Sequence, residues 1–200
     1  MSAWLAVPAL VLSVVFVAMF FSGAGGLYGS LNDFFVAVTA LLLILPARSL
    51  LDVTRGTGGR WFEVVTWAAV AGMGVIAAGQ LLLIGRLISL SASFVTGSAG
   101  ILPVLVWALT QSYLGLRYGA PSRPLGWSML TVLLAAGLVS TVSAVGWQTV
   151  TWILTAVLLA AMSVYLAVLG RDLKREVGRA AMEKADRAAV PPVPASSMKP

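Results

Sequence analysis

Residues 32–51 read NDFFVAVTALLLILPARSLL, residues 52–60 read DVTRGTGGR, and residues 61–84 read WFEVVTWAAVAGMGVIAAGQLLLI. Two apolar runs of the length that carries a helix across about 30 Å of hydrocarbon flank a short polar joint. The joint holds Asp52, Arg55 and Arg60 among Gly56, Gly58 and Gly59. A helix that is apolar on every side buries itself in lipid rather than on one face of a soluble core. The segment therefore predicts two membrane helices joined on one side of a bilayer.

The same alternation continues in both directions. Trp4–Phe21 forms a first span with Pro8 in its opening turns, and the glycine-rich Ser22–Ser30 forms a turn. Beyond Ile84, residues 85–91 read as a connection, 93–116 as a fourth span, and the Pro/Gly-rich 117–124 as a break. Spans five and six run over 125–145 and 150–169, around a tight turn at 146–149. The expected fold is an all-α integral membrane protein: one six-helix transmembrane bundle over residues 1–170, with spans at about 4–21, 32–51, 61–84, 93–116, 125–145 and 150–169.

Composition agrees. The chain is 60% hydrophobic and 10% charged, with a mean hydropathy of +0.97, against about 25% charge in ordinary soluble domains. It has no cysteine and no histidine. Disulfides, thiolate metal sites and cysteine nucleophiles are excluded, and so are the commonest general base and haem ligand. Lysines stand only at 174, 184 and 199, so no retinal-type Schiff base forms within the bundle. No metal or cofactor is expected, and no catalytic residue can be assigned.

The net charge is +6, but its placement points to headgroups rather than nucleic acid. Arg48, Arg55 and Arg60 follow span two, Arg117 and Arg123 follow span four, and Arg171, Lys174 and Arg175 follow span six. The joints after spans one and five carry no basic residue, and only Arg86 breaks the alternation. Counted over short loops, this pattern places both termini in the cytoplasm. A cleavable leader is the weaker reading of the first span. Ser22-Gly-Ala24 is a tolerable cleavage motif, but the n-region has no positive side chain and the apolar run is longer than a usual h-region.

Residues 171–200 form a charged cytoplasmic extension. Helix six is expected to continue through Arg171–Ala189, supported by Glu183 and Arg187 at i,i+4, and the proline-rich 191–200 to be disordered. A short echo between Trp61–Trp67 and Trp147–Trp152 is best explained by interfacial tryptophans rather than by an internal repeat.

Polar groups in hydrocarbon need an account. Asp33 has two readings. In one, Ser30-Leu-Asn-Asp33 is a capping box opening span two. In the other, Asp33 meets Arg86 at the same depth on the outer side and the two frame a polar vestibule. Arg86 alone can equally snorkel to headgroups. Gln80, six residues before Arg86, and Gln111, near the inner end of span four, are expected to hydrogen-bond between helices, or else to line a solute path. Glu63, after Arg60, reads as a local cap and ion pair. Ala68/Gly72, Gly74/Ala78, Gly97 and Gly100 offer small-residue surfaces for close helix packing. Thr96-Gly-Ser-Ala-Gly100 lacks any base for its serine, and reads as a kink before Pro103 whose neighbouring hydroxyls satisfy freed carbonyls.

Three functional classes remain. The first is a non-catalytic polytopic component: an accessory subunit, assembly factor or regulator of a membrane complex. The second is a small-solute transporter or channel with a polar path near Asp33, Gln80, Arg86 and Gln111. A lipid-acting enzyme is the least supported. The expected partners are the lipid bilayer and a membrane-protein partner or second copy, in what reads as a bacterial plasma membrane, multi-pass.

Overall fold

A single glycine reverses the chain between its second and third apolar runs. In the computed structural model, which describes residues 2–21 and 26–189, helix α2 runs from Gly26 to Ile84 and is interrupted only at Gly59. That residue has φ 61° and ψ −167°, a region open only to glycine. The two arms, α2a before Gly59 and α2b after it, fold back on each other. Asp33 lies across from Gln80 and Val36 across from Ile76 on the walls of one cavity. The Arg48 guanidinium rests 5.4 Å from the centroid of the Trp67 ring. All three pairs are centred near Thr57, so the arms form an antiparallel hairpin.

The remaining elements are α1 (Ser2–Phe21), α3 (Leu90–Tyr118), α4 (Arg123–Val145) and α5 (Gln148–Ala189). The described residues contain no strand. Each helix packs on its sequence neighbour, and α1 also packs on α5, so the elements close into a ring. Five stretches among the described residues are long and apolar enough to cross a membrane: Gly29–Thr54, Gly56–Ile84, Leu90–Tyr118, Arg123–Val142 and Ile153–Glu176. The 20-residue α1 carries no charge but is not among those five. Leu102 (63% exposed), Leu134 (62%) and Val164 (56%) present bare apolar side chains in the middle of their spans, exposure that lipid makes favourable. The molecule is an integral membrane protein built as a helical bundle.

Helix ends follow local chemistry. Ser89 caps α3, its Oγ accepting from the Ala92 N–H at 3.2 Å. The same helix closes on Gly119, whose left-handed φ of 69° lets its N–H reach the Gly115 carbonyl. Ser122 caps α4 by accepting from the Leu125 N–H at 3.3 Å. Within the spans, most hydroxyls bond back to the carbonyl four residues earlier, as Thr39 does to Phe35, Thr66 to Phe62 and Ser112 to Ala108. This is how a hydroxyl is accommodated in hydrocarbon.

Several expectations need correcting. The polar joint 52–60 is helical except at Gly59. Helix propensity does not stop where the hydrocarbon stops, and Thr54 extends the ladder by donating to the Leu50 carbonyl. The helix after the first turn begins at Gly26, so Ser30 and Asp33 lie inside α2 and form no capping box. α3 runs continuously through Pro103; Thr96 donates to the Ala92 and Ser93 carbonyls. Ser22–Ala24 and the tail 191–200 lie outside the described residues, as do the side chains of Glu183 and Arg187.

Packing is uneven along the bundle. The fully buried Leu50, Phe62, Leu125, Leu166 and Leu169 gather at the hairpin-tip end. At the opposite end Leu87, Phe94, Val95 and Trp147 are all more than half exposed. The small-residue surfaces act selectively. A Cβ built on Gly100 would stand 2.7 Å from the Gly72 carbonyl oxygen, and one on Gly115 2.7 Å from the Gly126 Cα. Gly74 and Gly97 face open space.

Candidate functional site

The loosely packed end holds a cavity lined by several polar side chains. Asp33 stands four residues inside the start of its span, Gln80 four residues before Ile84, and Ser93 three residues after Leu90. At 1.5 Å per residue all three sit roughly 5–6 Å inside the ends of their spans. They line a cleft of about 420 Å³ between α2a, α2b and α3, together with Asn32 and Ser98. Its walls are apolar: Val36, Ile76, Leu83, Phe94 and Ile101 among them.

The polar groups here are under-used. Asp33 is half-buried, and its one hydrogen bond among the described residues comes from Asn32 Nδ2 to Oδ1, at 3.3 Å. The Gln80 Oε1 atom is sealed from solvent with no partner. Ser93 and Ser98 make no side-chain hydrogen bond among the described residues, whereas Thr96 between them bonds back into the helix. The cleft thus presents a carboxylate and an orphan amide oxygen, and no basic side chain lines it.

Arg86 is not part of it. The end of α2b is a Schellman closure: the Leu87 N–H bonds to the Leu82 carbonyl and the Arg86 N–H to the Leu83 carbonyl, both at 2.9 Å. The geometry puts Arg86, not the preceding Gly85, in the left-handed conformation at φ 56°. Its side chain is exposed and makes no ion pair with Asp33. Sequence separation placed the two residues at similar depth, and the helix closure then turned Arg86 outward.

Gln111 lies elsewhere, in the tight half of the bundle. It is fully buried, and both of its amide atoms are unpaired. Trp107, one turn earlier, and Tyr165 on α5 likewise have buried, unpaired polar atoms. Tyr165 closes one side of a cavity of about 270 Å³, bounded by α1, α2a, α3, α4 and α5 and apolar except for Thr155 and the tyrosine. Ile101 belongs to the walls of both this cavity and the polar cleft.

One constellation escaped the sequence reading. Asp172, counted there with the charged tail, is 5% exposed. It accepts a hydrogen bond from Ser122 Oγ and a second, at 3.3 Å, from Arg171 Nε. Ser122 therefore caps α4 and latches it to α5, fifty residues away. The only signal was an acid directly after a span, which looked like tail composition. Among the described residues no three acidic side chains gather as a metal set.

Compared with known proteins, the chain matches no family, no curated protein and no solved structure.

Proposed function

We propose that this chain is a non-catalytic component of a bacterial plasma-membrane complex, acting as an accessory subunit, assembly factor or regulator. It spans the bilayer six times, with α1 as the first span and both termini cytoplasmic. Arg60, Arg117, Arg123 and Arg171 all belong to the hairpin-tip end, against Arg86 alone at the cleft end. That asymmetry supports a cytoplasmic tip.

The observation that carries the reading is the latched extension of α5. Asp172 ties the helix to the start of α4, and α5 then continues without a break to Ala189. Seventeen further residues give roughly 25 Å of helix. Its exposed Lys174, Arg175 and Arg179 make it a charged platform for a partner. The test is native mass spectrometry of the protein gently extracted from its own membranes. A stoichiometric polypeptide that is retained by the full chain and lost on reversing Lys174, Arg175 and Arg179 to glutamate supports the reading. A chain that is always alone, or a companion indifferent to those charges, overturns it.

One observation favours transport as a second reading. The cleft and the central cavity share Ile101, so the polar mouth borders the bundle's interior at that side chain. Uptake into proteoliposomes that rises on Ile101→Ala would favour this reading.

A further inference from the structure

The geometry points to a binding site for a protonated amine in the cleft between α2a, α2b and α3, with Asp33 as counter-ion, Gln80 as hydrogen-bond acceptor and Phe94 as an apolar and aromatic wall. The inference is independent of the partner reading above, because it concerns the opposite end of the bundle.

Three observations converge. First, a half-buried carboxylate just inside the start of its span has only a neutral amide neighbour, and Arg86, the one basic residue at this end of the bundle, is exposed and makes no ion pair with it. Acids in membrane segments are otherwise paired or functional. Second, the Gln80 oxygen is sealed and unpaired on the same walls. Buried acceptors without donors are rare and call for an explanation; a rotation of the half-buried Gln80 side chain that turns this oxygen into the cleft would let a ligand N–H supply the donor. Third, Ser93 and Ser98 keep their hydroxyls uncommitted here, while hydroxyls in the other spans mostly bond back into their helices.

The ligand's chemistry follows from that set. Acceptors dominate, no basic group lines the space, and the remaining walls are apolar. An anion would meet an uncompensated carboxylate. A neutral apolar molecule would leave the carboxylate and the orphan oxygen unsatisfied. A primary amine satisfies both with its three N–H donors, and its carbon body lies against Ile76 and Phe94, the ring adding cation–π attraction. At about 420 Å³ the cleft falls within the usual range of small-molecule sites. The amine can come from a free solute or from a lipid ethanolamine headgroup, since the cleft lies near the ends of the apolar spans.

The test uses the full chain in detergent micelles. Phenethylamine hydrochloride and its neutral counterpart 2-phenylethanol are titrated by calorimetry. In parallel, native mass spectrometry scores retention of phosphatidylethanolamine against phosphatidylglycerol from an equimolar mixture. Two variants separate charge from space. Asp33→Asn removes the counter-ion, and Gly97→Leu fills the cleft from a position where an added Cβ meets nothing within 4 Å. The expected result is saturable amine binding, at least tenfold weaker in Asp33→Asn and abolished in Gly97→Leu, with no matching binding of the alcohol. Phosphatidylethanolamine retained over phosphatidylglycerol by the wild type, and lost in both variants, assigns the lipid as the source. Amine binding without lipid preference assigns a free solute. If Asp33→Asn does not fold, Gly97→Leu alone decides. No saturable binding of either amine probe, equal binding of amine and alcohol, or a Gly97→Leu variant that binds like the wild type overturns the site.

Discussion

Replacing Gly100 by alanine forces a backbone crossing apart. The new Cβ would lie 2.7 Å from the Gly72 carbonyl oxygen and 2.7 Å from Ile76 Cγ1, where ordinary contact begins at 3.4 Å. The oxygen belongs to a helix backbone and has no rotamer to escape into, so α2b and α3 must separate by roughly 0.7 Å at this point. A gap of that size forfeits a quarter to a half of each contact well along the seam. The seam includes Gly79, where a Cβ would come 2.8 Å from Thr96 Oγ1. Overpacking of this kind costs about 1–3 kcal/mol, set against up to about 1 kcal/mol gained by alanine in a helix. Gly100→Ala should therefore lose about 1 kcal/mol. Gly74→Ala, on the neighbouring α2b but facing away from Gly100 with open space around it, should gain a few tenths to about 1 kcal/mol. The assay is equilibrium unfolding in mixed micelles of rising dodecyl sulfate fraction, followed by helical circular dichroism. A Gly100→Ala variant as stable as Gly74→Ala would refute the crossing.

Other perturbations probe separate parts of the account. Ser122→Ala removes the α4 cap, worth about 1 kcal/mol, and leaves the buried Asp172 carboxylate short of a donor, a further 1–3 kcal/mol; the same unfolding assay should show a loss of about 2–4 kcal/mol, non-additive with Asp172→Asn. Arg86→Gly relieves a left-handed residue that carries a side chain, at about 1–2 kcal/mol, and should raise stability; a fall would instead reveal a side-chain role for Arg86. Ala136→Leu projects into the central cavity, and filling roughly a third of its 270 Å³ at about 24 cal/mol per Å³ recovers about 2 kcal/mol, read as a higher unfolding midpoint.

Much of the fold is legible in the sequence because lipid imposes a coarse rule: about 20 apolar residues, then a polar break. The break at 117–124 announces itself through Gly119 and two prolines, and the break after Ile84 through Gly85 and the serines that follow. Where polar chemistry did not coincide with a backbone break, the reading failed. Asp52–Gly58 is polar yet helical, because the helix simply outlasts the membrane. The hairpin turns on one glycine of three, and nothing in DVTRGTGGR says which of Gly56, Gly58 and Gly59 has the positive φ.

The candidate site was partly readable. Asp33 and Gln80 stood out as costly groups in apolar runs, and hairpin geometry brings them to one cleft. Their separation of 47 residues carries no such message until the position of the turn is known. Arg86, read either as a partner of Asp33 or as a cation reaching headgroups, is exposed and unpaired with Asp33, because a Schellman closure displaces it from the helix surface that periodicity assumes. Gln111 was visible as polar but not as unpaired, since hydrogen-bond satisfaction depends on helices distant in sequence. Asp172 was hidden by its charged neighbours.

The central claim is that the turn at Gly59 sends the cleft and the hairpin tip to opposite faces of the membrane. Because the chain has no cysteine, single cysteines can be introduced without background. Thr57→Cys and Ser98→Cys, labelled in sealed vesicles of known orientation with a membrane-impermeant maleimide, test it directly. The account predicts that each position is blocked from one side only and that the two sides are opposite. Labelling of both positions from the same side would contradict it.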